Sequence, residues 1–404
     1  MRIVITGGAG AMAGGVLFDV LQQEDVSEIV VADVSEEKAK ERVAVLNDKR
    51  LVAKFVDLTD EEKTADLFAG ADVVINAATR ETILNATRAA VSAGVNYVDL
   101  GSRAQLMAQL ALHDEFRKKG VTAVPGLGTA PGATNIMARY LVDRLDRVES
   151  VHLKDGSVDL NDKEHTRPLY WSYDIDGIMD EFSVEANPFL DGKITRVPGM
   201  SSEEIYTFHE PVGPVAIGYT THSEPETMSL SFKDKGIKNV TWKIGFTPSF
   251  MQKLKFLCAL GFNSRKPINV KGQMVAPRDV LLELLYNHQP NEKLKGPDHR
   301  AEVVAIAVGE DKGQKVEYAM SLYPSAEAVE AMKTPFIKAK QPVPIARVGV
   351  YAAIGGLILA RGQVTEKGVL PPESSIPAEL FLKEASKRGH IVELTRKVLF
   401  EAAR

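Results

Sequence analysis

The chain has 404 residues, 45% of them hydrophobic and 25% charged, and a formal net charge of −5. That size and balance predict a soluble globular protein of two domains, or of one with a large insertion. An acidic chain without Lys/Arg-rich runs excludes a nucleic-acid binder, and one cysteine, Cys258, excludes internal disulfides and cysteine metal clusters.

Residues 2–6 read as a short apolar strand, and Gly8-Ala9-Gly10-Ala11-Met12-Ala13 after it fits G-x-G-x-x-G/A. An apolar helix runs on from this turn, so its free N–H groups would meet a pyrophosphate at Gly8, Gly10, Ala11 and Met12. A second strand ends in Asp33, 23 residues after Gly10. A carboxylate there accepts both ribose hydroxyls of NAD and repels the 2′-phosphate of NADP, so NAD is the expected cofactor. Ser35 is placed to cap a helix over 35–46, and 52–56 is a third strand ending in Asp57. Asp57 and Asp60 either meet the adenine amino group or cap the helix 60–69. The fourth strand and its loop, 72–78, put Asn76, Ala77 and Ala78 at the carboxyl edge of a parallel sheet, where ligands bind. A helix over 82–93, a strand over 96–100, a helix over 106–119 and a strand over 121–124 complete six strands with helical crossovers. This is a doubly wound α/β count. Leu100, Gly101 and the loop with Ala130, Pro131 and Gly132 fall beside the expected nicotinamide end.

In the second half, strands are expected at 150–155 and 240–245. Alternating patterns at 228–232, 303–308 and 316–322 read as further strands of a mixed sheet with one covered face. A hairpin is expected over 301–322 with its turn at 310–314, and helices over 278–288 and 348–359. The small, apolar 348–359 helix is expected back on the first domain. No run of about 18 apolar residues predicts a membrane span, and no secretory leader is read at the start, so the expected location is cytoplasmic. The eight histidines are scattered and no H-E-x-x-H occurs, so no metal is expected.

Five separated segments then carry a resemblance: GGAGAMA, VDLG (98–101), GLGTAPGATN (126–135), LYWSYDIDGIMDEF, and EKGVLPPE (366–373). Together they are similar to the saccharopine dehydrogenase family, most of all to its L-lysine 6-dehydrogenases. The resemblance implies a Rossmann domain (1–130), a second α/β (α+β) domain for substrate binding and dimerisation (131–345), and a segment returning to the first (346–404). It also implies a homodimer and NAD(P)-dependent oxidation of an amino acid amine.

Oxidising an amine by hydride transfer needs a group to take the amine proton, because a free alkylamine titrates near about 10.4. Candidate bases are Asp99, His152, Asp155, Asp174, His209 and His222. Asp99 is favoured by its strand-end position and His222 by its polar, turn-rich setting. Tyr170, Trp171 and Tyr173 would wall an aliphatic stem, and Arg80 is a carboxylate partner. The expected reaction is oxidation of lysine to 2-aminoadipate 6-semialdehyde. The alternatives are a saccharopine-type reductase acting on a secondary amine joining two amino acids, and a non-catalytic NAD(H) sensor.

Overall fold

The computed structural model describes residues 1–101, 103–161, 169, 171, 175–288, 298–338 and 346–400. Contact clustering divides the chain into one unit of Met1–Val148, Leu230–Gly236 and Ile306–Arg404 and another of Glu149–Ser229 and Ile237–Ala305. The first unit is therefore larger than the expected 1–130, because the chain after 131 contributes helices and strands to it.

In chain order the strands are β1 (Arg2–Thr6), β2 (Glu28–Asp33), β3 (Leu51–Phe55), β4 (Val73–Asn76), β5 (Asn96–Asp99) and β6 (Thr122–Val124). Next come β7 (Arg147–Asp159), β8 (Phe189–Leu190), β9 (Lys193–Ile194), β10 (Glu204–Thr207), β11 (Pro214–Tyr219) and β12 (Asn239–Gly245). The last are β13 (Ile268–Val270), β14 (Gln273–Val275), β15 (His299–Asp311), β16 (Gln314–Pro324), β17 (Gly368–Val369) and β18 (His390–Val398).

The first unit is built on a parallel sheet of order β17-β6-β5-β4-β1-β2-β3. Its strands are apolar on both faces, as a sheet covered twice requires. Val4, Val30, Val74 and Tyr97 pack on one side with Phe68, Ala86, Ala89, Ala90 and Phe116. On the other side Ile75 and Val98 meet Gly356 of the helix Ala346–Ala360. The expected return of the C-terminal segment is thus seen twice, in this helix and in β17, which pairs in parallel with β6.

A second sheet has the order β10-β11-β12-β7-β15-β16-β18, with β8 on β12 and β9 on β8. It is mixed: β12 runs parallel to β7 and antiparallel to β11. The hairpin β15–β16 turns on two residues, Lys312 and Gly313, both at positive φ, rather than over the five expected. Residues 228–232 are not a strand. The helix Glu224–Ser231 covers 228–231 and Phe232 follows it directly; Met228 and Phe232 are buried while Leu230 is 69% exposed. The buried pair is four apart, which is helical spacing; the serines between only imitate an alternation of two. Residues 106–119 form two helices, Arg103–Leu110 and His113–Lys119. Among the described residues no helix is long and apolar enough to cross a membrane.

The helix Ala346–Ala360 lies backbone to backbone on the helix Ala11–Val20. A Cβ on Gly349 would fall 2.6 Å from the Val16 nitrogen and 2.7 Å from Gly15 Cα and the Met12 oxygen. None of these is a flexible side-chain end, so Gly349→Ala is expected to destabilise by about 1–3 kcal/mol. Chemical denaturation reads this directly, and an unchanged midpoint would refute the packing.

On β18, His390 is buried, its Nδ1 without a hydrogen-bond partner among the described residues. Burial, with the charges of Arg388 and Arg347, lowers its pKa from 6.5 to about 4. The unfolded chain protonates this ring near 6.5 and the folded chain only near 4, so its contribution is present above pH 6.5 and lost as pH falls toward 4. The loss amounts to about 3 kcal/mol. His390→Gln is expected to flatten the unfolding free energy over that window relative to wild type, measured by urea titration at successive pH values.

Candidate active site

The cofactor edge begins where β1 ends. Gly7 sits at φ +64°, and a Cβ there would fall 2.6 Å from the Ala77 oxygen and 2.7 Å from Ala78 Cα. The turns after β1 and β4 therefore touch through their backbones. Gly8 N–H donates to the Ala32 oxygen (3.0 Å) and Gly10 N–H to the Gly7 oxygen (2.9 Å). Gly10 caps the helix Ala11–Val20 without a side chain, so no side-chain acceptor from the cap competes for its first N–H groups. Gly8 and Gly10 thus form the turn and Ala11 and Met12 open the helix, and Gly7, the first glycine of the doublet, makes the close approach to Ala77 and Ala78.

At the end of β2 the Asp33 carboxylate accepts the Ala9 N–H (3.1 Å) and the Ser35 N–H (3.0 Å). Ala9 is also held from behind, because the buried Arg42 donates from Nη2 to its carbonyl at 2.9 Å. Ser35 Oγ accepts the Lys38 N–H and so starts the helix Glu36–Leu46, as expected. Asp57 accepts N–H and O–H from Thr59 at 2.9 and 2.7 Å, and Asp60 accepts the Lys63 N–H. Of the two readings, Asp60 is the helix cap, while the Asp57 carboxylate holds its own turn.

Asn76 is buried at the end of β4. Its Oδ1 accepts from Thr6 Oγ1 (2.7 Å) and the Ala78 N–H (3.0 Å), and its Nδ2 donates to the Tyr97 hydroxyl (2.9 Å). It shapes the Ala77–Ala78 turn rather than presenting a free amide. Asp99, at the end of β5, is fully buried. Its Oδ1 accepts N–H groups of Gly101 (2.8 Å) and Gly126 (2.9 Å), and its Oδ2 accepts from Gln109 Nε2 (2.7 Å). Burial pushes its pKa up, and the N–H groups of Gly126, Gln109 and Gly101 pull against that shift. With both oxygens so occupied, Asp99 has the geometry of an anchor for the loops at Leu100–Gly101 and 126–132, not of a proton-transferring base. Pro131 lies against Gly101 and Gly126, which closes these loops on each other.

The second unit has its own polar cluster. His222 stacks on Trp242 with ring centroids 4.2 Å apart and 19° between planes. Its Nδ1 is 2.5 Å from Oε2 of the fully buried Glu224. Asn187 fixes the segment by accepting the His222 N–H and donating to its carbonyl, and Trp242 Nε1 donates to Thr220 Oγ1. Burial pulls the imidazole pKa down, but Glu224, helped by Glu181 and Asp155, outweighs it and leaves the pKa above its ordinary 6.5. The sequence singled out His222 but missed Glu224 and Trp242; an acid two residues beyond the histidine was the available signal.

Of the other candidates, Asp155 is buried and its charge helps raise the His222 pKa. His152 bonds to Thr241 Oγ1 and His209 to the buried Glu302. Lys154 pairs with Glu204, not with its neighbour Asp155. Arg80 lies in the short turn Arg80–Thr82, where its carbonyl accepts from Gln105. Trp171 meets Tyr286 edge-on at 6.1 Å. Tyr170, Tyr173 and Asp174 lie outside the described residues.

A parallel sheet of this order, with a glycine turn at a helix start and an acid ending β2, defines a dinucleotide-binding domain of the Rossmann class. The chain belongs to the saccharopine dehydrogenase family. The model of the saccharopine dehydrogenase NADP binding domain matches residues 3–124, and that of the C-terminal domain matches 128–390. The protein is thus an NAD(P)-dependent oxidoreductase acting on a C–N bond. It is 22% identical over 398 residues to the carboxyaminopropylagmatine dehydrogenase of Synechocystis sp., covering 96% of each chain. It is 25% identical over 305 residues to the carboxynorspermidine synthase of Vibrio cholerae, covering 69% of this chain and 71% of that one. The fold is that of apo saccharopine dehydrogenase (L-Glu forming) from Saccharomyces cerevisiae, with TM-score 0.70 and 17% identity over 99% of this chain and 100% of that one. It is also that of the NAD-bound homospermidine synthase of Legionella pneumophila, with TM-score 0.66 and 13% identity over 98% and 91%.

The cradle fits the cofactor: the N–H groups of Ala11 and Met12 at the start of the helix would meet the pyrophosphate, and the pre-oriented Asp33 would take the ribose hydroxyls. Asp33→Ser is expected to weaken NAD binding about tenfold, as loss of a charge-assisted bidentate contact does, and to narrow the advantage of NAD over NADP. Titration with both nucleotides tests this; an unchanged NAD/NADP ratio would show that Asp33 does not read the ribose.

Proposed function

We propose that this protein interconverts an imine and a secondary amine within a carboxylated di- or polyamine. The observation that carries the reading is the charge around His222, where Glu224, Glu181 and Asp155 all act on a ring stacked on Trp242. Carboxylates beside an aromatic face attract a cationic amine and repel a carboxylate. The full-length similarity to an enzyme named for carboxyaminopropylagmatine, and the partial one to an enzyme named for carboxynorspermidine, support the same substrate class. The sequence's sharper expectation, oxidation of lysine, stands as the competing reading.

Bound NAD(P) supplies or accepts the hydride at the carbon of the C–N bond. The nitrogen gains a proton when the imine is reduced and loses it when the amine is oxidised. His222 is the group proposed to carry that proton at Nε2, since Nδ1 is engaged by Glu224. Glu224 fixes the tautomer and stabilises the charged ring. Asp99 takes no part in this transfer.

The test is NAD(P)H consumption or formation at 340 nm with carboxyaminopropylagmatine, carboxynorspermidine, saccharopine and lysine. Turnover of the first two above lysine is expected; turnover of lysine alone would overturn the reading. With the active substrate, the His222 limb of the kcat/KM profile is expected above pH 6.5. Glu224→Gln removes the charge that raises the ring pKa, so the limb is expected to move to lower pH. His222→Asn is expected to lower kcat by about 100-fold or more. A profile indifferent to both changes would exclude this dyad.

A further inference from the structure

The loop that follows β6 is fastened by residues that the cofactor motif does not contain. Asn135 lies in the first turn of the helix Ala133–Val142, and its Oδ1 accepts the Gly132 N–H at 2.9 Å. Its Nδ2 donates to Glu373 Oε2 at 2.8 Å, across 238 residues of sequence. The other oxygen of Glu373 accepts from Ser231 Oγ at 3.0 Å. Asn135 and Glu373 are both buried. All four residues lie in the first unit, and Glu373 arrives with the C-terminal segment just after β17.

The polarity of this chain of bonds is what makes it specific. An asparagine amide has nearly the same shape after a half-turn, so packing alone does not decide which end meets Gly132. Glu373, when ionised, only accepts hydrogen bonds. It therefore takes the NH2 end and leaves the oxygen for Gly132. A buried carboxylate is costly unless compensated, and here it faces the positive end of a ten-residue helix. The Gly128 N–H, bonded to the Pro131 oxygen at 2.8 Å, and the Ala133 N–H, bonded to the Gly128 oxygen at 3.0 Å, close the same loop around Gly132. In a sheet of this order the loop after β6 lies on the nicotinamide half of the ligand edge.

We propose that Glu373 is a positioning residue for cofactor binding: it sets the Asn135 amide, which holds the 126–132 loop ready before the nucleotide arrives. The inference requires only that the chain binds NAD(P), and is indifferent to which amine it acts on.

The decisive experiment exchanges the polarity of the pair. In Asn135→Asp the donor is lost and two carboxylates face each other; Glu373→Gln alone keeps an acceptor for the Asn135 amide in its amide oxygen, while its NH2 donates to Ser231 Oγ. In the double variant the amide introduced at position 373 donates to the carboxylate introduced at position 135. That carboxylate still accepts the Gly132 N–H, so the bonds are restored with their direction reversed. NADH affinity, followed by fluorescence on the full-length chain under conditions where circular dichroism shows every variant folded, is the readout, so that a change in stability does not enter the dissociation constant. Asn135→Asp is expected to bind NADH about tenfold more weakly, the cost of about one buried hydrogen bond, and both Glu373→Gln and the double variant within about threefold of wild type. An Asn135→Asp chain that binds like wild type, or a double variant that binds no better than Asn135→Asp, would overturn the proposal. The unmodified chain gives an independent arm, by hydrogen exchange over residues 126–135. The proposal requires protection of this loop without nucleotide; a loop protected only after NADH is added refutes it.

Discussion

The structure of the first unit depends on backbones brought closer than side chains permit. At Gly7 the turn after β1 touches the turn after β4, and at Gly349 a C-terminal helix lies on the helix that opens the nucleotide site. Both approaches concern the same helix, Ala11–Val20: one shapes the turn that leads into it, and the other sets the surface behind it. Interiors packed at crystalline density transmit such constraints, since no void takes up a displaced atom. The entry to the helix Ala11–Val20 is consequently held from two sides, by segments about 270 residues apart in the chain, Ala77–Ala78 and Gly349.

Around this seam the polar residues divide into those offered to a ligand and those consumed by the fold. Asn76 and Asp99 stand at strand ends, where ligand contacts are common, yet both are buried and have their side-chain oxygens occupied by loop donors. Asp33 differs: its oxygens are oriented by two N–H groups at a partly exposed strand end and keep capacity to accept more. A carboxylate accepts about four hydrogen bonds, so strand-end position is a weak guide to role; the count of donors already engaged separates anchor from ligand contact.

The histidine cluster of the second unit follows another logic. Glu224 is wholly buried and its compensation is the ring of His222, which in turn has Trp242 on its face. Removing one member of such a set leaves an uncompensated buried group, which makes the set act as a unit. In the proposed reaction the acids that raise the ring pKa would also favour a cationic substrate, giving basicity and substrate charge one cause.

Much of this was legible in the residues alone. The glycine fingerprint, Asp33 and the alternation of strands and helices determined a parallel nucleotide-binding sheet, because those features act within one or two turns of chain. The small-residue run at 348–359 foretold a closely packed helix for the same local reason. What the tertiary structure decided is every matter that depends on distant partners. It made 228–231 helical through burial of Met228 and Phe232, and it turned Asp99 into an anchor through Gln109, Gly101 and Gly126. It also brought Glu373 to Asn135. A hydrogen bond is chosen by which donors fold to within about 3 Å of an acceptor. Spacing in sequence carries that information for neighbours along a helix or turn, and loses it for residues that only the completed sheet brings together.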